Sequence, residues 1–178
     1  MKSLAKILLP AVLVLCLTSN LALAQPADDP ATCDVTVTVD PIMEWSAASY
    51  GPIALANITA QTDTPSGNAN FTLYTNCNSE ISADNTVTAQ LSSATDTLVT
   101  EYQLAFDGDG VTATGGTDVG TWTDYSTFLG TPSAVTHVDN DGAAVITLSA
   151  RASNNAGEVA DAGAYSATQT LTVSWTSN

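Results

Sequence analysis

Basic side chains are almost absent from this sequence: lysine and arginine together number 3, against 18 acidic residues and a single histidine. Lys2 and Lys6 stand at the very start, so the rest of the chain has Arg151 alone and a formal net charge of −17. Phosphate backbones and anionic lipid headgroups repel such a chain. The composition therefore excludes nucleic acid and acidic membrane surfaces as partners.

Side chains that carry most enzyme chemistry are equally scarce. His137 is the only histidine, and no Gly-x-Ser-x-Gly segment marks a serine nucleophile. A zinc site needs several histidine or cysteine ligands, which this chain does not offer. His137 stands where a strand enters a turn, and we interpret it as an exposed structural residue. We therefore expect that the protein is not an enzyme.

No apolar run is long enough to cross a bilayer, which takes about 20 residues. The longest run, residues 7–17, follows Lys2 and Lys6 and precedes Ala-Leu-Ala at 22–24. A basic start, a short apolar stretch and small residues at the cleavage position are typical of a secretory signal peptide. We expect residues 1–24 to be removed and the product, without a membrane span, to pass through the periplasm to the cell surface or the medium.

Cleavage after residue 24 would leave only two cysteines, Cys33 and Cys77. In an exported protein two cysteines are expected to pair, so the sequence predicts one disulfide. Both residues stand in phase with the apolar positions of alternating segments. A bond closing a loop of this length, some 44 residues, contributes about 4 kcal/mol in the chain-entropy account.

Alternation of apolar and polar residues, which is typical of half-buried strands, recurs along the chain. The alternating segments are 33–39, 69–77, 87–91, 98–106, 144–148 and 170–175, with weaker ones at 53–59 and 119–123. Turn residues separate them at 65–68, 107–110, 115–116 and 139–142. In the last segment Trp175 is in phase with Leu171 and Val173, which predicts that it lies in the core.

Many short strands with regular turns predict an all-β fold, specifically an immunoglobulin-like antiparallel β-sandwich with one disulfide. We expect a loose N-terminal extension at residues 25–32, which holds two prolines, and a single domain over residues 33–178. The one segment with any helical character is short, at 154–162.

Two Asp-x-Asp-Gly turns supply the candidate calcium ligands, Asp107 and Asp109 in the first and Asp139 and Asp141 in the second. Calcium binds clustered oxygen atoms, so it is the one cofactor for which the sequence offers ligands. Neither turn completes the ligand spacing of a calcium loop, and aspartate and glycine are also what tight hairpins require. We favour the turn interpretation and keep calcium as the alternative.

Trp122 and Tyr125 lie in a glycine-flanked stretch and are the candidate platform for stacking a sugar ring. Packing within a loop or the core is the other interpretation. The two sites together define an alternative function, a secreted, self-contained β-sandwich module that binds glycans, calcium or both.

Three segments resemble bacterial fimbrial subunits and secreted proteins of the spore-coat-U type. They are CDVTVTVDP at 33–41, FTLYTNC at 71–77 and GAYSATQTLTVSW at 163–175. The resemblance implies an incomplete immunoglobulin-like sandwich that assembles by accepting a strand from a neighbouring subunit. Residues 25–32 lack alternating apolar residues, so residues 35–39 are the alternative donor, although a Cys33–Cys77 bond would tether them to their own domain.

We therefore expect an exported, non-catalytic structural protein of the cell surface. In this interpretation the chain is a subunit of a fimbrium or coat, and it associates with copies of itself or with related surface subunits through β-strand pairing.

Overall fold

The structure, a computed structural model, describes residues 29–178. The predicted signal peptide at 1–24, its cleavage site and the first residues of the predicted extension lie outside the described residues. The chain divides into two units, with the boundary between Thr38 and Val39. Each unit is described separately.

In the first unit, residues 29–38 enter no strand or helix. Val35 and Val37 are 91% and 88% exposed, and Val39, which opens the second unit, is 66% exposed. The apolar alternation is therefore present without the pairing that would make it a strand. We call residues 35–39 the valine segment.

The second unit contains nine strands and one short helical turn. The strands are β1 Met43–Trp45, β2 Ser66–Thr75, β3 Asn78–Ala83, β4 Val99–Phe106, β5 Gly115–Gly116, β6 Val119–Asp124, β7 Ser133–Thr136, β8 Ala143–Ser153 and β9 Leu171–Ser177. No α-helix occurs within residues 29–178, which confirms the all-β prediction. The same described stretch holds no helix with the length and hydropathy of a membrane span.

The strands form two antiparallel sheets. One has the order β1-β2-β8-β4-β6 and the other the order β5-β7-β3-β9. Both sheets contribute to one hydrophobic core, whose buried members include Leu73, Leu104 and Ile146 from the first sheet and Ile81 and Val135 from the second. A core shared by two sheets is the organisation of a β-sandwich. Fully burying each of these side chains stabilises the fold by about 1.5–3 kcal/mol.

One predicted strand, at 87–91, is wrong. Val87–Ala89 is a turn of 3-10 helix because the side chain of Thr86 accepts a hydrogen bond from the backbone N–H of Thr88 and caps it. The Asp84 side chain then accepts hydrogen bonds from the hydroxyls of Thr86 and Thr88. Local side-chain hydrogen bonds of this kind compete with a strand ladder.

The predicted disulfide is not formed in the structure, where Cys33 and Cys77 are both free thiols. Cys33 is exposed, whereas Cys77 is buried in the turn between β2 and β3. The Cys77 thiol lies 3.6 Å from the Thr75 hydroxyl and 3.7 Å from the carbonyl oxygen of Ile42. A disulfide requires a second thiol in defined geometry, and the thiol of Cys77 instead has these oxygen neighbours.

Candidate functional site

An open groove runs between the edges of the two sheets. Strand β1 is the edge of the first sheet and β9 the edge of the second, and the two strands approach each other on one side of the sandwich. The groove has a volume of about 700 Å³, with Phe71, Tyr102 and Leu148 among the residues that line it. A further cavity of about 970 Å³ adjoins this groove and extends it, since Ile53 and Leu55 line both. The result is a long cleft with an apolar floor.

One wall of the open groove is residues 47–58, which follow β1. Within the described chain these residues enter no strand, and no backbone hydrogen bond joins them to one. Ile53 and Leu55 are half-buried between exposed neighbours, which is the alternation expected of a strand, whereas Ile58 is half-buried out of that phase. The wall therefore has a strand-like side-chain orientation around residues 53–55 and an unpaired backbone.

The opposite wall is residues 165–171, which lead into β9 and include its first residue. Strand β9 pairs with β3 on one side, and no described strand pairs with it on the other. Upstream, Ser166 exchanges two backbone hydrogen bonds with Ser92, both of 3.1 Å. The side-chain nitrogen Nε2 of Gln169 is buried in this wall without a hydrogen-bond partner. Both walls thus offer backbone or side-chain groups that an added strand would satisfy.

Trp175, on β9, is an apolar side chain that the fold leaves partly uncovered. Leu171 and Val173 pack against the core, but Trp175, in phase with them, is 52% exposed. The prediction that Trp175 lies in the core is therefore wrong. Its position on the alternating face is as expected, but about half of the side chain remains exposed, and the indole Nε1 donates a hydrogen bond to Asn178 Oδ1 at 3.3 Å.

An aromatic cluster forms part of the floor. The rings of Trp45 and Phe71 meet edge to face with centroids 5.4 Å apart, and those of Tyr50 and Phe71 lie 4.4 Å apart. Such pairs stabilise by about 0.5–1.5 kcal/mol beyond the area that they bury. These contacts hold Tyr50, which follows β1, against Phe71 of β2 in the floor of the groove.

Three of the four candidate calcium ligands accept hydrogen bonds from the backbone, while Asp139 is exposed. Asp107 accepts from the N–H of Val145 at 2.8 Å, and Asp141 accepts from the N–H of Thr114 at 2.7 Å. Asp109 accepts from three successive backbone N–H groups, those of residues 111–113. No group of three or more potential metal-binding side chains occurs in the described part of the chain. The geometry supports the turn interpretation.

The two acidic turns are joined through Thr114, whose side chain is buried. Its hydroxyl donates to the carbonyl oxygen of Asp141 and accepts from the N–H of Val138 at 2.9 Å. His137 Nδ1 lies 3.5 Å from the same hydroxyl, and the His137 N–H donates to Asn78 Oδ1 at 2.9 Å. His137 therefore belongs to a structural network that joins the loops.

The hydrogen bonds to Asp109 predict an acid-sensitive loop. Backbone N–H groups of Thr112 and Val111 hold the pKa of Asp109 at about 2, below its ordinary value of 3.8. A carboxyl whose pKa is lowered by folding stabilises the fold above its unfolded pKa, and that contribution disappears as the pH falls through the folded value.

We therefore expect Asp109→Asn to be less stable than the wild type at pH 6, with the difference narrowing between about pH 4 and pH 2. Thermal melts of both proteins across this range measure the effect. Asp139→Asn, the same change at an exposed position of the neighbouring turn, is the matched control. A difference between wild type and Asp109→Asn that stays constant down to pH 2 would contradict this assignment.

The candidate sugar platform is already occupied by the protein itself. The guanidinium of Arg151 lies over the Trp122 ring, 4.8 Å from its centroid. Arg151 also forms a two-pronged ion pair with Glu101, with distances of 2.6 Å and 3.1 Å. Tyr125 is half-buried and packs against the core. The structure thus gives both aromatic residues packing partners.

Sequence reasoning missed most of the groove. For its walls, residues 47–58 and 165–170, the sequence offers only the weak strand pattern at 53–59 and the segment 163–175 that carries the family resemblance. Comparison with protein-family models and with curated proteins finds no significant match to this chain. The open groove between the sheets, defined by its geometry, is therefore the candidate functional site.

Proposed function

We propose that this protein is an exported structural subunit of a fibre or coat on the cell surface, with an immunoglobulin-like sandwich that each copy leaves incomplete. The valine segment of one copy adds as a strand to the open groove of the next. The observation that carries the proposal is that an exposed, alternating apolar segment and an open apolar groove occur in the same chain.

The valine segment has the properties of a strand that is not paired with another strand. Val35, Val37 and Val39 share one side of the alternation and are all largely exposed. Burying a valine side chain is favourable by about 1.5–3 kcal/mol, so three together provide a substantial drive for association. Cys33 is a free thiol, so no disulfide tethers the segment to its own domain.

The open groove has matching properties. An added strand placed between β9 and residues 47–58 would find unpaired backbone groups on both sides and apolar side chains beneath it. Exposed strand edges are templates for pairing with another chain, and proteins normally protect them. Here Pro41 and the polar residues on the other face of the valine segment limit the pairing to a short strand.

The test is the mass of residues 25–178 in solution by light scattering after size separation, followed by electron microscopy of the same sample. We expect multimers or fibres in about 1 M salt, where charge repulsion is screened. A monomer at all concentrations in that salt, with nothing visible by microscopy, would contradict the proposal. That outcome would favour the alternative function, a self-contained binding module.

A further inference from the structure

We infer that ionic strength switches this assembly: the chain stays monomeric at low salt and assembles when its charges are screened. The inference rests on the proposed function, because it concerns how the valine segment of one copy approaches the open groove of another. Its basis is the distribution of charge on the two surfaces that must meet.

No free lysine or arginine is available within residues 29–178 to attract a second copy. Arg151 is the only lysine or arginine there, and Glu101 neutralises it through two hydrogen bonds. Trp122 covers its guanidinium from another direction. The remaining carboxylates of the described chain therefore have no arginine or lysine partner in their own copy or in a neighbour.

The valine segment carries negative charge at both ends. Asp34 precedes it and Asp40 follows it, and both side chains are exposed. Between them the segment contains only valine and threonine, so its apolar side is flanked by two charges that must accompany it into any groove. In the structure neither aspartate has a cation at hydrogen-bonding distance among the described residues.

Negative charge also lies beside the groove, and no lysine or arginine lines it. Glu44 is exposed on β1, where it alternates with Trp45 of the groove lining, and the backbone N–H of Asp84 donates at 2.9 Å to the carbonyl of Thr170, a lining residue. At the far end the backbone N–H of Asp161, a residue that lines the cavity continuing the groove, donates to the Asp96 carboxylate at 3.1 Å. Inserting the valine segment therefore brings like charges together along the groove.

The salt concentration sets the range of the repulsion between these charges. The screening length is about 30 Å at 0.01 M and about 3 Å at 1 M. At low salt the repulsion extends across the whole groove, whereas at high salt it is confined to groups in direct contact. Apolar burial and backbone pairing lack this dependence on screening, so the balance shifts toward assembly as salt rises.

The experiment measures the protein concentration at which half of the 25–178 chain is assembled, from about 0.01 M to 1 M sodium chloride. We expect that concentration to fall by about tenfold or more across the range. The double variant Asp34→Asn/Asp40→Asn should assemble at lower salt than the wild type. Asp139→Asn, which removes one charge from a turn outside the groove and the valine segment, is the control and should shift the curve less.

A second series uses calcium chloride at the same ionic strengths as the sodium chloride series. It distinguishes screening of the charges from bridging of carboxylates by a bound calcium ion. Equal curves for the two salts support the inference, whereas assembly at micromolar calcium in low salt would overturn it in favour of a bridging ion. Assembly that is equally strong at every salt concentration would overturn the inference and leave the proposed function intact. Absence of assembly in every condition would instead contradict the proposed function.

Discussion

Val37→Asn abolishes assembly, whereas Thr36→Asn leaves it nearly intact: this is the result that the proposed function predicts for two adjacent positions. Val37 is at the centre of the apolar side of the valine segment and Thr36 is on its polar side. Because alternate side chains of a strand point to opposite faces, only position 37 enters the groove. Placing an amide there without a hydrogen-bond partner adds about 1–3 kcal/mol to the loss of valine burial.

The measurement is the assembled fraction in high salt by light scattering, with thermal melts of the unassembled proteins alongside. Val37 is 88% exposed in the single chain, so neither variant should change the melting temperature of the monomer. Both changes introduce the same uncharged side chain, so electrostatics does not separate them. Equal assembly of the two variants would show that the valine segment does not enter a groove by its apolar face.

Gly115→Ala is expected to destabilise the domain by about 3 kcal/mol, a large effect for adding one methyl group. A Cβ atom at position 115 would overlap the carbonyl oxygen of Gly108, which belongs to the first acidic turn. The two backbones are held together by the hydrogen bond of 3.0 Å from the N–H of Gly116 to the same carbonyl. The backbone must therefore separate to admit the side chain.

Gly120→Ala is the matched control, since no heavy atom lies within 4 Å of a Cβ placed there. Gly120 lies in β6, and alanine at such a site is neutral or slightly stabilising. Denaturant melts of the two variants give the comparison. Equal stability would mean that the close approach of Gly108 and Gly115 does not exist in solution, and that the acidic turns are free to adopt another geometry.

Much of the fold was predictable because strand alternation reports which side chains are buried. The segments 69–77, 98–106 and 144–148 lie in or overlap β2, β4 and β8, the three central strands of the first sheet. Their inward residues form most of the shared core. The prediction of an all-β chain rests largely on these strands.

Alternation is a poor guide where a segment has no neighbouring strand to pair with or no side chains to cover it. The valine segment alternates as well as any strand in the chain, yet it enters no sheet, and Trp175 is on the apolar face of β9 but about half exposed. Alternation specifies a face and carries no information about what pairs with the edge or covers the face. The count of two cysteines likewise gave no geometry for a bond between them.

The groove itself was beyond prediction from sequence for a related reason. It is a surface produced by two unpaired edges, and its walls include residues 47–58, whose weak pattern resembles a loop. The sequence suggests a calcium site at the acidic turns because each turn contains two aspartates. In the structure the carboxylates of Asp107, Asp109 and Asp141 accept hydrogen bonds from the backbone, which is a role that turn geometry alone explains.

The central claim is strand addition, and hydrogen exchange of the full 25–178 chain before and after assembly tests it most directly. The predicted result is new protection of amides in three places only: the valine segment, residues 47–58 and β9. The outer edges at β5 and β6 should exchange equally in both samples. Protection confined to β5 or β6, or unchanged exchange in the valine segment of an assembled sample, would contradict the account.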